Sequence, residues 1–571
     1  MARPSRPVPR SDFRDLAVRA LLGLAGGIAV WAVIRWTPET EGLKVVRGIL
    51  ALASLTLPAV LLGAYGALRP RTLALWTLAA AGVSVLGGIG RVGAPLNADV
   101  PPVPAAGTLV LTCLALIIGH VLVLAREGAG RGNPWPRHFT IAWTDGVRAA
   151  LSVALVGALF GLVVLASNLF ELIGFKAVGG FLSRPGVLWP LMGLAFGLGV
   201  HFTAGRAELA AGARALGLGL LAWLLPVMVF LAATFLGTLP FTGLKPLWDT
   251  GSAAALLIAA CIGLIILVNA AVQDETNPTK IPRLLRYAAR LGGLLMAPLV
   301  VIAAVGIFLR IDQHGLSPDR VRALACLLVL AVFAGGHLLA ALSRRSWIEA
   351  FGKANLTGVL AALVAILFTL SPVGDPDRLS VMDQMRRLTT GQVALDRFDF
   401  DLLRFDTGEL GRTALRELAA RPGDAPRDAE IRRAASEALG SKTRRAVRVA
   451  PPVVIPVGTA PIPADFISST ATIYCDREQP CGAMSLDVTD DGKAEVLLQR
   501  GTRLEAWTPD ATGWRKLGDL GFPCPVDSKP FLAGDVRVAP PRDRVQDVMV
   551  GGVRLRLDPE LAACPPGGAG G

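Results

Sequence analysis

Three histidines and a few carboxylates hold most of the chemistry that the side-chain pattern of this 571-residue chain suggests. His120, His201 and His337 stand in the contexts IIGH, LGVH and AGGH, each closing an apolar run and each followed within seven residues by an arginine: Arg126, Arg206 or Arg344. Imidazoles at one depth in a membrane could share a proton or ion path, or converge on a metal with a carboxylate nearby. The plainer alternative is three interfacial side chains reaching lipid headgroups. Asn168 and Glu171 end another apolar run close to Lys176. A carboxylate there could bind a cation or relay a proton, or simply pair with the lysine or face water. Near the C-terminus, Asp487-Val-Thr-Asp-Asp-Gly-Lys-Ala-Glu495 puts Asp487, Thr489, Asp491 and Glu495 at alternating positions around Gly492. Oxygen ligands at that spacing can wrap a calcium ion. An Asp-Gly hairpin with solvated carboxylates has the same pattern. The sequence shows no convincing Ser/His/Asp set, phosphate-binding glycine loop or dinucleotide fingerprint.

The elements that must position these residues follow from composition. Hydrophobic residues make up 53% of the chain and charged ones 18%. The apolar residues fall in runs of about twenty, the length a helix needs to cross roughly 30 Å of hydrocarbon. Eleven runs meet that criterion: 16–36, 48–68, 72–90, 104–125, 149–170, 186–204, 216–236, 252–272, 287–309, 321–342 and 355–372. The expected fold class is therefore an α-helical polytopic membrane bundle with a small C-terminal helical plus β-rich domain outside the membrane. Of the 57 basic and 44 acidic residues, 27 and 29 lie from Asp375 onward, a balance of −2, so the bundle carries +15 and the net charge of +13 originates there. A basic excess confined to short loops is a topology signal and argues against nucleic acid as a partner. One set of alternate loops holds the arginine-rich N-terminus, Arg69 and Arg71, Arg126 to Arg137, Arg206 and Arg214, Lys280 to Arg286, and Arg344 to Lys353. The other set is poorer. That asymmetry predicts a cytoplasmic N-terminus and, after eleven spans, a periplasmic C-terminal domain.

Cysteine placement gives a separate indication. Cys113, Cys261 and Cys326 lie in spans, whereas Cys475, Cys481, Cys524 and Cys564 lie in the C-terminal domain. An even number on an oxidising side suggests two disulfides, Cys475–Cys481 and Cys524–Cys564 being the pairing favoured among three. Four free thiols would instead fit a cytoplasmic domain. The expected organisation is a cytoplasmic segment 1–15, a bundle 16–373, a membrane-proximal helical region 374–448, a Pro-rich linker 449–463, a β-rich domain 464–564 and a disordered tail 565–571. Strands are expected at Ala471–Tyr474, Ala494–Gln499, Leu504–Thr508 and Val545–Val550.

The stretch Met382-Asp-Gln-Met-Arg-Arg-Leu-Thr-Thr-Gly-Gln392, the run Phe398-Asp-Phe-Asp-Leu-Leu-Arg-Phe-Asp406, and then Gly411, Arg412 and Leu415 resemble a family of bacterial polytopic membrane proteins, domain of unknown function 4153. The span end Leu169-Phe170-Glu171-Leu172-Ile173-Gly174 is similar to it as well. The resemblance implies this architecture and an inner-membrane location, and it transfers no catalytic residue. Two narrower likenesses are weaker in reach. The segment from Asp487 to Glu495 is similar to calcium loops of integrin-type propeller repeats, with Asp543–Leu555 as a degraded second copy, but two copies cannot build a propeller. Glu39 and Glu41 occupy a first outer loop, where lipid-linked sugar transferases keep acidic residues, yet here that loop is short. The expected partners are membrane lipid and an envelope protein or small-molecule ligand, and the one expected cofactor is calcium in the C-terminal domain. Three functions stay open: an envelope binding or sensing protein, a transporter using the polar span residues, and a membrane transferase.

Overall fold

A computed structural model describes residues 10–36, 40–90, 106–127, 134–244, 247, 252–273, 278–343, 347–423, 425–441, 453–467, 469–472, 475, 481–489, 492, 494–500, 503–510, 513–520, 536, 548–550 and 553–555. Among these residues, eleven helices are long and apolar enough to cross a membrane, and the protein is a multi-pass membrane protein. They are α1 (Arg10–Arg35), α2 (Glu41–Ala64), α3 (Pro70–Gly90), α4 (Ala106–Arg126), α5 (Trp135–Leu172), α7 (Pro185–Ala204), α8 (Ala207–Thr242), α9 (Ala253–Val272), α10 (Arg283–His314), α11 (Pro318–Leu342) and α12 (Trp347–Leu370), with a short α6 (Lys176–Leu182) before α7. In hydrocarbon each backbone polar group must be satisfied within its own segment, so an apolar run of this length has little choice but to be helical. Internal prolines at Pro58, Pro190, Pro226, Pro240 and Pro298 are accommodated. Helix α5, at 38 residues, is far longer than its apolar run. Its first turns carry Arg137, His138, Asp145 and Arg148, so they extend the helix beyond the hydrocarbon part.

Two packing modes hold the bundle. Helix α1 crosses α7 through paired small residues. A Cβ on Gly193 would overlap the Gly23 carbonyl oxygen, one on Gly23 would overlap that of Gly193, and one on Gly197 would overlap that of Arg19. Glycine removes the side chain that would otherwise hold two backbones apart, which is the basis of small-xxx-small association in membranes. Helices α8 to α12 instead share an interdigitated apolar core that includes Leu225, Leu264, Met296, Leu299, Leu330 and Phe351. A separate cluster around Trp76, Ala80 and Leu116 joins α2, α3 and α4.

The chain divides into two compact units, residues 1–442 and 443–571. The first includes, beyond α12, a set of shorter helices: α13 (Pro376–Thr389), a π-helical turn (Leu402–Asp406), α14 (Gly408–Ala419) and α15 (Pro426–Gly440). Asp375 caps α13 by accepting from the Asp377 amide at 2.9 Å, with Pro376 at the first helical position. The Phe/Asp alternation buries its apolar half on its own neighbours. Phe398 and Phe400 meet edge to face at 4.7 Å between centroids, beside Leu403, Leu415 and Ile431. Gly411 fits because any Cβ would strike the Leu403 carbonyl and the Thr407 hydroxyl.

The second unit carries a five-stranded sheet in sequence order: β1 (Val454–Pro456), β2 (Cys481–Leu486), β3 (Glu495–Arg500), β4 (Arg503–Asp510) and β5 (Gly513–Leu520). The β1–β2 pair is parallel and the other pairs are antiparallel. Pro456 is tolerated because β1 is an edge. A hairpin of β6 (Val548–Val550) and β7 (Val553–Leu555) stands apart from that sheet. The Cys475–Cys481 disulfide is formed. Cys524, Cys564 and the tail 565–571 lie outside the described residues. The strand expected at Ala471–Tyr474 is corrected over its first part: Thr470–Thr472 is a 3-10 turn. The Ser469 hydroxyl accepts from the Ala471 amide, and the Thr472 hydroxyl donates back to the Ile467 carbonyl at 2.7 Å. Such local hydroxyl bonds compete with ladder formation.

If the α1–α7 crossing holds the two helices at backbone contact, Gly193→Leu destabilises the purified protein by about 1–3 kcal/mol through overpacking. Gly217→Ala on α8, where nothing lies within 4 Å of the added carbon, is neutral. Thermal unfolding of both variants in the same detergent measures the difference, and equal midpoints would refute the contact.

Candidate functional site

Inside an apolar bundle, a polar side chain is conspicuous when it is buried. Three such residues meet where α9, α11 and α12 approach one another. Asn269 and Asn355 are buried, and so is His337, which is 2% exposed. The Asn355 side-chain oxygen accepts from Asn269 Nδ2 at 3.1 Å and lies 3.2 Å from His337 Nε2. Asn269 Nδ2 also donates to the Ile265 carbonyl at 2.8 Å, which fixes the amide. With Asn355 Oδ1 as the shared acceptor, His337 donates from Nε2–H, and its Nδ1 keeps a lone pair. His337 Nδ1, Asn269 Oδ1 and Asn355 Nδ2 have no hydrogen-bond partner among the described residues. The trio therefore still offers two acceptors and one donor to a small hydrogen-bonding group.

The walls of this site are aromatic and close-packed. The Phe351 ring lies 5.1 Å from the His337 ring between centroids, and Phe333 meets it edge-on at 6.0 Å. Gly293 on α10 brings that backbone against the His337 carbonyl: an added Cβ would come within 3.0 Å. Outside this ring, Arg290 lies over Trp347 at 5.3 Å and reaches the Ser343 carbonyl at 3.4 Å. No carboxylate joins the trio through a hydrogen bond, and among the described residues no three His, Cys, Asp or Glu are arranged to hold a metal ion. The arrangement can pass or hold a proton, or bind a small polar group.

The other histidines have separate neighbours. His120 on α4 accepts from Trp76 Nε1 at 3.2 Å and packs over Gly63. His201 on α7 lines a cavity of about 330 Å³ with Asp15, Arg19 and Arg206. Asn168 donates to its own helix at the Val164 carbonyl, 2.9 Å away, and both it and Glu171 are exposed. In the second unit, Asp487 accepts from the Gly492 amide at 3.0 Å and so closes the turn between β2 and β3. Glu495 is buried and points inward: its carboxylate accepts from the Val488 and Thr489 amides at 2.8 and 3.2 Å and from two threonine hydroxyls. Asp491 lies outside the described residues, as does Glu39.

A second constellation, with no signal in single-residue chemistry, gives the Met382–Gln392 stretch a role. Helix α13 grips the turn between α10 and α11. Asp383 accepts from the Leu316 amide at 2.8 Å, and Gln384 donates to the His314 and Leu316 carbonyls at 3.0 and 2.9 Å. Arg387 donates to the Asp312 carbonyl at 2.8 Å and to that of Ile311 at 3.4 Å. From the other side Arg320 donates to the Gly315 carbonyl at 2.8 Å. Gly315 has φ +73°, and a Cβ there would fall within 2.8 Å of all three gripping side chains. Only glycine suits both the conformation and the space.

Residues 22–420 match the family described as Domain of unknown function (DUF4153), and the chain belongs to that family. No curated protein and no solved structure matches it. The matched range takes in the trio, the grip of α13 and the core residues from Leu388 to Leu418, and it ends before α15 and the sheet of the second unit.

Replacing Asn355 removes the acceptor that Asn269 and His337 share and strands both in an apolar setting. Asn355→Ala should lower stability by about 1–2 kcal/mol. A double-mutant cycle with Asn269→Ala, read by thermal midpoints, should show a coupling of at least about 0.5 kcal/mol; strict additivity would dissolve the trio as a unit.

Proposed function

We propose that this member of the family is a non-enzymatic protein of the bacterial inner membrane, whose periplasmic C-terminal part binds a ligand or envelope partner and whose bundle transmits that event. The observation that carries the reading is the grip of α13 on the α10–α11 turn. Five hydrogen bonds from α13 to one glycine turn make a mechanical joint, since α13 cannot shift without moving two adjacent spans. Those same spans pack around His337 and Gly293 at their other ends. A displacement applied outside the membrane thus has a direct path to the polar trio. Sidedness rests on the arginine-rich alternate loops, which favour a cytoplasmic N-terminus and, after eleven spans, a periplasmic C-terminus. The Cys475–Cys481 disulfide supports an oxidising compartment for the second unit.

Transport is the second reading, favoured by one observation: the trio keeps unpaired hydrogen-bonding atoms inside the bundle. The two readings separate by mutation. In a deletion strain with a scorable envelope phenotype, the signalling reading expects loss of complementation in Arg387→Ala and tolerance of His337→Gln. The transport reading expects the opposite. Reporter fusions after Pro372 and after Gly571, combined with thiol labelling with and without reductant, test the orientation. Periplasmic activity with thiols revealed only by reductant is the expected result; cytoplasmic activity with free thiols would overturn the topology and the sensing role together.

A further inference from the structure

Three helix ends meet at one membrane face around the cavity lined by Asp15, Arg19, His201, Phe202 and Arg206: the start of α1, the end of α2 and the end of α7. Its volume is about 330 Å³, enough for a phosphate group with room to spare. We propose that this cavity binds a phosphate-type anion, as found in the headgroup of an acidic phospholipid or in free phosphate. Charge supports this first: two guanidinium groups and an imidazole converge there against one carboxylate. The carboxylate is already engaged, since Asp15 accepts from the Tyr65 hydroxyl at 3.3 Å. Arg19 is held in place by the same residue, donating to the Tyr65 carbonyl at 3.5 Å with its guanidinium 5.9 Å from the ring centre.

Unspent hydrogen-bonding capacity supports it as well. Arg19 Nε and His201 Nδ1 are buried from solvent and have no hydrogen-bond partner among the described residues. Arg19 Nε is a permanent donor, and His201 Nδ1 becomes one in the appropriate tautomer, so both favour an anion held beside them. The cavity also opens at the first turn of α8, whose initial amides are not capped by the Arg206 side chain. The N-terminus of this 36-residue helix, which begins right after Arg206, adds positive potential to the same spot. Basic pockets between helix ends at a membrane face are suited to acidic headgroups, and the site does not depend on which leaflet it faces.

The test uses the full chain purified in a neutral detergent. Thermal midpoints are measured with added phosphatidylglycerol, with phosphatidylcholine and with inorganic phosphate, for the wild type, Arg206→Gln, Arg19→Gln and Asp15→Asn. Arg206 is exposed, so its variant folds and keeps the comparison valid if Arg19→Gln does not. The expected result is stabilisation of the wild type by phosphatidylglycerol but not by phosphatidylcholine, reduced at least several-fold in Arg206→Gln and increased in Asp15→Asn, which removes the opposing charge. Stabilisation by inorganic phosphate with the same dependence on the variants upholds the anion site and assigns it to a soluble ligand. If neither probe stabilises the wild type, or if the variants respond as the wild type does, the site is refuted.

Discussion

Hydrocarbon supplies no hydrogen bonds, so a polar group placed in the bundle gains most from a partner in the protein. Several hydroxyls find one locally. Thr56, Ser84, Ser152 and Thr203 each donate to the carbonyl four residues earlier, and Thr56 and Ser84 also meet across α2 and α3 at 3.0 Å. Asparagine and histidine have too much capacity for that solution. Their amide and imidazole groups also reach across helices, so that Asn269, His337 and Asn355 fix the relative placement of α9, α11 and α12. A few polar contacts thereby determine which of many similar apolar faces pack together.

Close packing does the rest. The α1–α7 crossing uses glycines on both helices, and Gly336 against Ala354 and Gly358 against Phe333 repeat the strategy between α11 and α12. Helices α13 to α15 follow soluble rules: they share a core with its own aromatic pair, Asp375 caps the first of them, and α13 holds the bundle through side chains that read backbone atoms of a single turn. This attachment depends on the shape of that turn more than on the side chains in it.

The spans were legible because length and apolarity are properties of a segment by itself. All eleven expected runs fall on helices, and the error was one of extent: Trp135–Arg148 belongs to α5 although its charges end the apolar run. Partnerships were less visible. Asn269 and Asn355 could have been singled out as lone amides in or beside apolar runs, but nothing in their spacing says that they meet His337. His120, His201 and His337 share a sequence context and do not share neighbours, because similar span ends recur wherever a helix leaves the membrane. The family-like Asp383, Gln384 and Arg387 were visible as a pattern, and their purpose emerges only beside Gly315. In the second unit, β2 and β5 escaped notice since CGAMSL and GWRKLGDL hold few β-branched residues; pairing with neighbours makes them strands.

The glycine crossing also imposes an order on synthesis. Gly23 and Gly27 leave the ribosome roughly 170 residues before Gly193 and Gly197, which at about 5–20 residues per second is an interval on the order of 10–30 s. Throughout that interval α1 is in the bilayer with its permanent partner not yet made, its groove open to any other small-residue face. The connections through α2 to α6 are what keep it within reach until α7 arrives. Assembly of this bundle is thus a closure between first and sixth spans, and the intervening helices have to be inserted in the right orientation before the closure can occur.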